Sequence, residues 1–171
     1  MGIFKRRKLR EATLASSSRV RVDKKTKHLT QRLQAGEIAV IDHADIDRIA
    51  AETLVAAAPS AVLNAAKSTT GRYPNMGPSI IVDAGITLID DLGSRIMNLK
   101  EGTKVTIEGN SVFQNGQLVA EGVQQTPGTI AADLEEARKG VSTQIEAFAA
   151  NTMEYLRRER DLLLDGVGFP R

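Results

Sequence analysis

The chain has 171 residues, with 23 basic and 21 acidic side chains and a formal net charge of +2. Hydrophobic residues make up 42% and charged residues 26%, a balance that excludes an integral membrane protein and a wholly disordered chain. Cysteine and tryptophan are absent and Phe plus Tyr number six, so disulfides, thiolate chemistry and aromatic platforms for stacking bases are excluded, and the core must be aliphatic.

The small net charge hides a division. Residues 1–32 carry eleven Lys or Arg against Glu11 and Asp23, a balance of +9, and the remainder carries a balance of −7. The chain reads as a basic flexible arm over 1–27 joined to an acidic body. Lys5, Arg6, Arg7, Lys8 and Arg10 form its densest part, and Ser16-Ser17-Ser18 reads as a flexible break behind them. Such an arm is drawn to any polyanion. No apolar run approaches the ~20 residues that cross a bilayer.

In chain order, Thr26 to Leu33 predicts one or two helical turns with Leu29 and Leu33 on one face, ended by Gly36. Glu37 to Ile41 is a short apolar run read as a buried strand. Asp42 or Asp45 suits the N-cap of a following helix, about Ile46 to Ala58, with Ile46, Ile49, Ala50, Leu54 and Ala57 on its apolar stripe and Pro59 as its stop. Ala61 to Ala65 is a second apolar run, so a βαβ unit with parallel strands is expected. Residues 67–79 form a long polar loop. Ser79 to Val82 is a short helix or strand, Ile86 to Ile89 a third strand, and an amphipathic stretch runs through Ile96 and Leu99. Lys104 to Glu108 alternates as a half-exposed strand does. Val112-Phe113, Asn115-Gly116 and Leu118 to Val123 then read as a hairpin, because Asn-Gly tolerates positive φ at both positions.

From Thr129 the period changes. Ile130, Leu134, Ala137, Val141, Ile145, Phe148, Thr152 and Tyr155 recur at steps of three and four, which predicts a helix over 128–160 of about thirty residues and ~45 Å. Either it docks along its own domain, or it projects and pairs with a partner in the manner of a coiled coil, through Leu134, Val141, Ile145 and Phe148. Residues 161–171 read as a strand-like apolar segment and a Gly-rich turn, the start of a linker to a further domain.

Two places could carry chemistry. Asp42, His43, Asp45 and Asp47 cluster after the first body strand, but a metal needs more converging ligands, and helix capping explains the carboxylates better. His28 is read as a solvated side chain of the arm. The loop containing Ser68, Thr69, Thr70, Gly71, Arg72, Asn75 and Gly77 follows an apolar strand, where open α/β sheets place their binding crevice. Hydroxyls, backbone N–H groups and Arg72 could hold an anion or a partner's carboxylate there. The alternative is a purely structural crossover. Neither GxxxxGK[ST], GxGxxG nor GxSxG occurs.

GRYPNMGP at 71–78, GITLID at 85–90, EAFAANTMEYL at 146–156 and LLLDGVGFP at 162–170 resemble the N-terminal half of the SteA-type cytokinetic ring proteins of actinobacteria and related bacteria. The resemblance covers nearly the whole chain after about residue 20. It implies a downstream domain similar to thiamin pyrophosphokinase and then a membrane-spanning segment, neither of which lies within these residues. It also implies work in cell division and septal wall remodelling with a membrane-anchored partner protein, in the cytoplasm at the inner face of the membrane near the division site. The succession of elements is similar, too, to the swivelling β/β/α domain of enzymes that pass on phosphate from phosphoenolpyruvate. Lys67 to Gly71, where those enzymes carry a phosphorylated histidine, contains none.

The expected fold is therefore α/β: a small swivelling-type β/β/α domain with a mixed sheet over 28–127, followed by the long C-terminal helix. The expected function is a non-enzymatic interaction module of a division protein, without cofactor or metal. It would bind its membrane partner, pair as a homodimer through the helix, and rest its arm on an anionic membrane surface. The alternatives are a ligand-binding or enzymatic domain for a phosphorylated small molecule, using the 68–78 loop, and, last, nucleic-acid binding by the arm.

Overall fold

The computed structural model describes the backbone of residues 15–168 apart from Tyr73, and side chains within 17–163. Lys5, Arg6, Arg7, Lys8 and Arg10 lie outside the described residues. The elements are β1 (Ala15–Val22), α1 (Thr26–Arg32), β2 (Ile38–Ile41), α2 (Arg48–Ala57), β3 (Ala61–Asn64), α3 (Gly77–Asp83), β4 (Thr87–Asp90), a 3₁₀ turn (Ser94–Asn98), β5 (Lys104–Glu108), β6 (Ser111–Gln114), β7 (Gln117–Glu121), β8 (Val123–Gln125) and α4 (Pro127–Gly168). Eight strands form one mixed sheet in the order β7-β6-β5-β1-β2-β3-β4-β8. The fold is α/β with a long C-terminal helix, as the residue pattern predicts.

β1 to β4 pair in parallel and in chain order, so their three crossovers run in one direction and place α1, α2 and α3 on the same face. Side chains of a strand alternate between faces, and β2 and β3 are buried on both. Ala39, Ile41, Val62 and Leu88 pack with Leu29, Leu54 and Ile81 of the helices. Ile38, Val40, Ala61 and Leu63 instead pack with Ile96 of the 3₁₀ turn and with Val105, Ile107 and Val112 of β5 and β6. The antiparallel strands thus cover the face that the helices leave bare. Asn115 and Gly116 both take positive φ and close the β6–β7 hairpin.

Three expectations change. Ser16-Ser17-Ser18 is no flexible break: β1 pairs antiparallel with β5 from Ala15 to Arg19 and parallel with β2 from Val20 to Val22, at the centre of the sheet. The folded body therefore begins at least thirteen residues before the expected position 28, and His28 belongs to α1 rather than to an arm. Residues 15–171 hold 18 basic and 20 acidic groups, so the body is close to neutral. Leu118 to Val123 is not one strand. The chain leaves β7 at Gly122, and β8 crosses to pair with β4 at the opposite edge. Residues 161–168 continue α4 instead of starting a strand-like linker.

Two of the early arginines are paired within the fold. Arg21 pairs with Glu37 at 3.1 Å, and Arg32 reaches Asp23 at 2.9 Å, Glu101 at 2.7 Å and the Val22 carbonyl at 2.7 Å. The hydrogen bond from Arg32 holds the Glu101 carboxyl below its ordinary range, and that from Arg21 does the same for Glu37. Arg32 ties β1, α1 and the β5 approach together, but it is partly exposed, and solvent screens such pairs. Arg32→Ala is expected to cost about 1 kcal/mol in urea unfolding at low salt, and less at high salt.

α4 spans 42 residues, ~63 Å at the standard rise. Among the described residues no helix is long and apolar enough to cross a membrane. Ile130 and Ala137 are buried and Leu134 and Val141 half-buried, whereas beyond Val141 nearly every described side chain is exposed. The first part of the helix docks on its own domain and the rest stands clear of it.

Candidate functional site

Parallel strands expose their last carbonyls and the following loops at one edge, which makes that edge the natural place for polar groups. Here β3 and β4 end in Asn64 and Asp90, His43 follows β2 by two residues, and a chain of hydrogen bonds links the three. Asn64 is wholly buried. Its Oδ1 accepts from the N–H of His43 at 3.0 Å and of Ala66 at 3.1 Å, while its Nδ2 donates to the His43 carbonyl at 2.8 Å and to Ser68 Oγ at 3.0 Å. Ser68, equally buried, donates from Oγ to Asp90 Oδ1 and from its N–H to Asp90 Oδ2 at 3.1 Å. Gln125 Nε2 donates to the same Oδ2 at 3.0 Å, and Thr129 Oγ1 at the start of α4 donates to Gln125 Oε1 at 2.8 Å. At the other end, Thr26 Oγ1 lies 2.9 Å from His43 Nδ1. The line runs from α1 through four strands to α4.

Asp90 is 2% exposed. Burial pushes its carboxyl up to about 6, against the pull of the hydrogen bonds from Ser68 and Gln125, and the Asp133 carboxylate adds in the upward direction.

The residues of the polar loop divide between structural and accessible roles. Ser68 is committed to Asp90. Asn75 Nδ2 donates to the carbonyls of Ile46 at 3.0 Å and Ser68 at 2.9 Å, and its buried Oδ1 has no partner among the described residues. Gly77 packs directly against the Ile46 carbonyl. Thr70 donates from its N–H and its hydroxyl to Asp45, whose left-handed backbone at φ 53° aims the carboxylate at the loop. Arg72 is exposed and does not line the cavity beside Asp90. Thr69, Thr70 and Gly71 do line a cavity of about 370 Å³, with Lys67, Asp90, Asp91, Gln125, Asp133 and Glu136. Four carboxyl groups face one lysine there, which opposes an anionic ligand. The loop alone suggests an anion site; α4 reverses the sign of its surroundings.

The cluster after β2 serves the backbone. Asp47, not Asp42 or Asp45, caps α2, accepting from the Ala50 N–H at 2.8 Å. Among the described residues no group of three His, Asp or Glu side chains could hold a metal ion. Of the expected helix interface, Leu134 leans on its own domain beside Pro78 and Asn75, and Val141 is half-buried. Ile145 and Phe148 stand free, 61% and 72% exposed.

The sequence reading does not single out Asp90, Asn64 or Gln125. For Asp90 and Asn64 the available signal is a polar residue closing an apolar strand, as in TLID and AVLN; Gln125, in the polar VQQ, has none. The fold and this edge define a β/β/α domain with a self-satisfied polar rim and a projecting helix. No protein-family model matches the chain, and no curated protein matches it either.

Proposed function

We propose that this chain is a non-enzymatic interaction module of a bacterial cell-division protein, acting through α4. The observation that supports this best is the apolar stripe of that helix. It starts at the buried Ile130 and Ala137, continues at steps of three and four through Val141, and runs on along Ile145, Phe148, Tyr155, Leu156, Leu162 and Leu163, which nothing covers among the described residues. From Val141 to Leu163 it extends about 33 Å, and exposed large side chains in such a row mark a surface for another helix. The polar rim favours a binding role over chemistry, since Ser68, its nearest nucleophile to a carboxylate, is buried and hydrogen-bonded. The division setting, the membrane-anchored partner and a location at the inner face of the membrane rest on the resemblance of 71–78, 85–90, 146–156 and 162–170 to SteA-type proteins.

Analytical ultracentrifugation tests the helix. The chain is expected to self-associate or to bind its partner helix, and Ile145→Asp with Phe148→Asp to weaken that association at least tenfold, about 1.4 kcal/mol, while leaving the unfolding midpoint unchanged. A chain that stays monomeric at high concentration and ignores the partner, or a double variant that associates equally well, overturns the reading.

A further inference from the structure

We propose that a second cavity, between α1 and α2, is a binding site for a small phosphorylated molecule. It encloses about 870 Å³, within the roughly 300–1,000 Å³ range of small-molecule pockets, and sits past the carboxyl ends of β1 and β2. Lys24 and Lys25 enter it from the β1–α1 turn, Lys27 and His28 from α1, and His43 from the loop after β2.

The charge of this cavity is what selects its ligand. The nearby arginines, Arg21 and Arg32, are neutralised by Glu37, Asp23 and Glu101 and lie outside the lining. The three lysines inside it are exposed and form no ion pair among the described residues. Two carboxylates also line it, Asp42 and Asp47, and that of Asp47 is engaged by the Ala50 N–H. Three ammonium groups against two carboxylates leave a net positive charge in a concave site, the setting in which phosphate oxygens are held. The acidic cavity beside Asp90 lies farther along the same edge and has the opposite sign.

Geometry adds a fixed ring nitrogen. Thr26 is buried, and its hydroxyl, 2.9 Å from His43 Nδ1, holds the imidazole in place and leaves Nε2 as the nitrogen for a ligand. The third feature is apolar. Ile49 is 75% exposed on the first turn of α2 and, with Ala44 and Ala50, gives the cavity a hydrophobic side on which a ring or other apolar body can lie. The combination of a cationic end and an apolar side fits a phosphate ester or diphosphate rather than a bare inorganic ion.

Calorimetry and amide-shift mapping on the full chain, with pyrophosphate and ADP as probes, test the assignment. Saturable binding of both is expected, with shifts centred on 24–28 and 43–50. Lys24→Ala with Lys27→Ala should weaken both at least tenfold. Ile49→Ser should weaken ADP and leave pyrophosphate unchanged. Lys67→Ala, in the acidic cavity, should change neither. These side chains are exposed, so the variants keep the fold. Absence of saturable binding overturns the proposal, as does binding that the double variant leaves intact or that shifts only residues 5–10. Vesicles of phosphatidylglycerol and of phosphatidylcholine form the last arm. Binding of the anionic vesicles alone, lost in the double variant, assigns the phosphate to a lipid headgroup and overturns the small-molecule site.

Discussion

Gly77→Ala is expected to destabilise the protein by about 3 kcal/mol or more, a fall in Tm on the order of 10 °C for a chain of this size. A β-carbon at this position would sit 1.9 Å from the Ile46 carbonyl oxygen, 2.7 Å from its carbon and 3.0 Å from the Asp47 oxygen. All three are backbone atoms, so no side chain can swing aside. The Ile46 segment is itself pinned, its N–H donating to the Ser68 carbonyl at 3.0 Å and its carbonyl accepting from Asn75 at 3.0 Å. Relieving the clash means lifting α3 and the polar loop off the β2–α2 connection and exposing the buried Asn75 and Ser68. Gly71→Ala provides the comparison. Gly71 has φ 79° with nothing within 4 Å of the added carbon, so only the left-handed backbone is strained, at about 1 kcal/mol. Thermal unfolding of the two variants separates the cases. A Gly77→Ala protein no less stable than Gly71→Ala would mean that the loop is not seated on Ile46.

That the loop is a structural latch as well as a cavity wall was not legible from its composition. Gly, Asn and Ser are the residues of a binding loop and equally of a tightly docked crossover, and only the position of Ile46 decides between them. The parts of the fold that could be read were those where one period dominates: β2 and β3 as short apolar runs, the Asn115-Gly116 hairpin, and α4 as a sustained three-four repeat. β1 was lost because its Ser-Ser-Ser-Arg half carries no apolar signal and is specified by pairing with β5, nearly ninety residues away. Ile46, counted as the first helical residue, draws Ile49 onto the expected apolar stripe. The helix begins at Arg48, and Ala51 and Leu54 face the core, so Ile49 falls about 140° away from Leu54 and is exposed. The cavities show the same limit. Hydroxyls and Arg72 predicted an anion beside the loop, but Asp133 and Glu136 arrive there from α4, and the uncompensated lysines gather at α1 instead.

Stability of the wild-type chain and of Asp90→Asn is expected to diverge with pH. In the folded state burial raises the Asp90 carboxyl to about 6, from an ordinary value of 3.8 in the unfolded chain. The folded state therefore binds this proton more tightly than the unfolded state does. The contribution of the group is fully present below about pH 4, is lost as pH rises toward about 6, and stays lost above. A difference of about 2 pKa units amounts to about 3 kcal/mol. Asparagine has nearly the same shape. Its Oδ1 can keep the donors Ser68 N–H and Gln125 Nε2, while its Nδ2 faces Ser68 Oγ and avoids the buried charge. Relative to wild type, Asp90→Asn should accordingly gain about 3 kcal/mol between about pH 4 and about pH 7. Other carboxyls pull the opposite way. Asp23 is lowered by the Lys25 N–H and Arg32, Glu37 by Arg21 and Glu101 by Arg32, so each stabilises above its unfolded pKa and loses that contribution as pH falls. They are present in both proteins and cancel in the difference. Urea midpoints of the pair across this range read the result directly. A gap independent of pH would show that the Asp90 carboxylate is not desolvated, and that Ser68 and Gln125 gather around a group open to water.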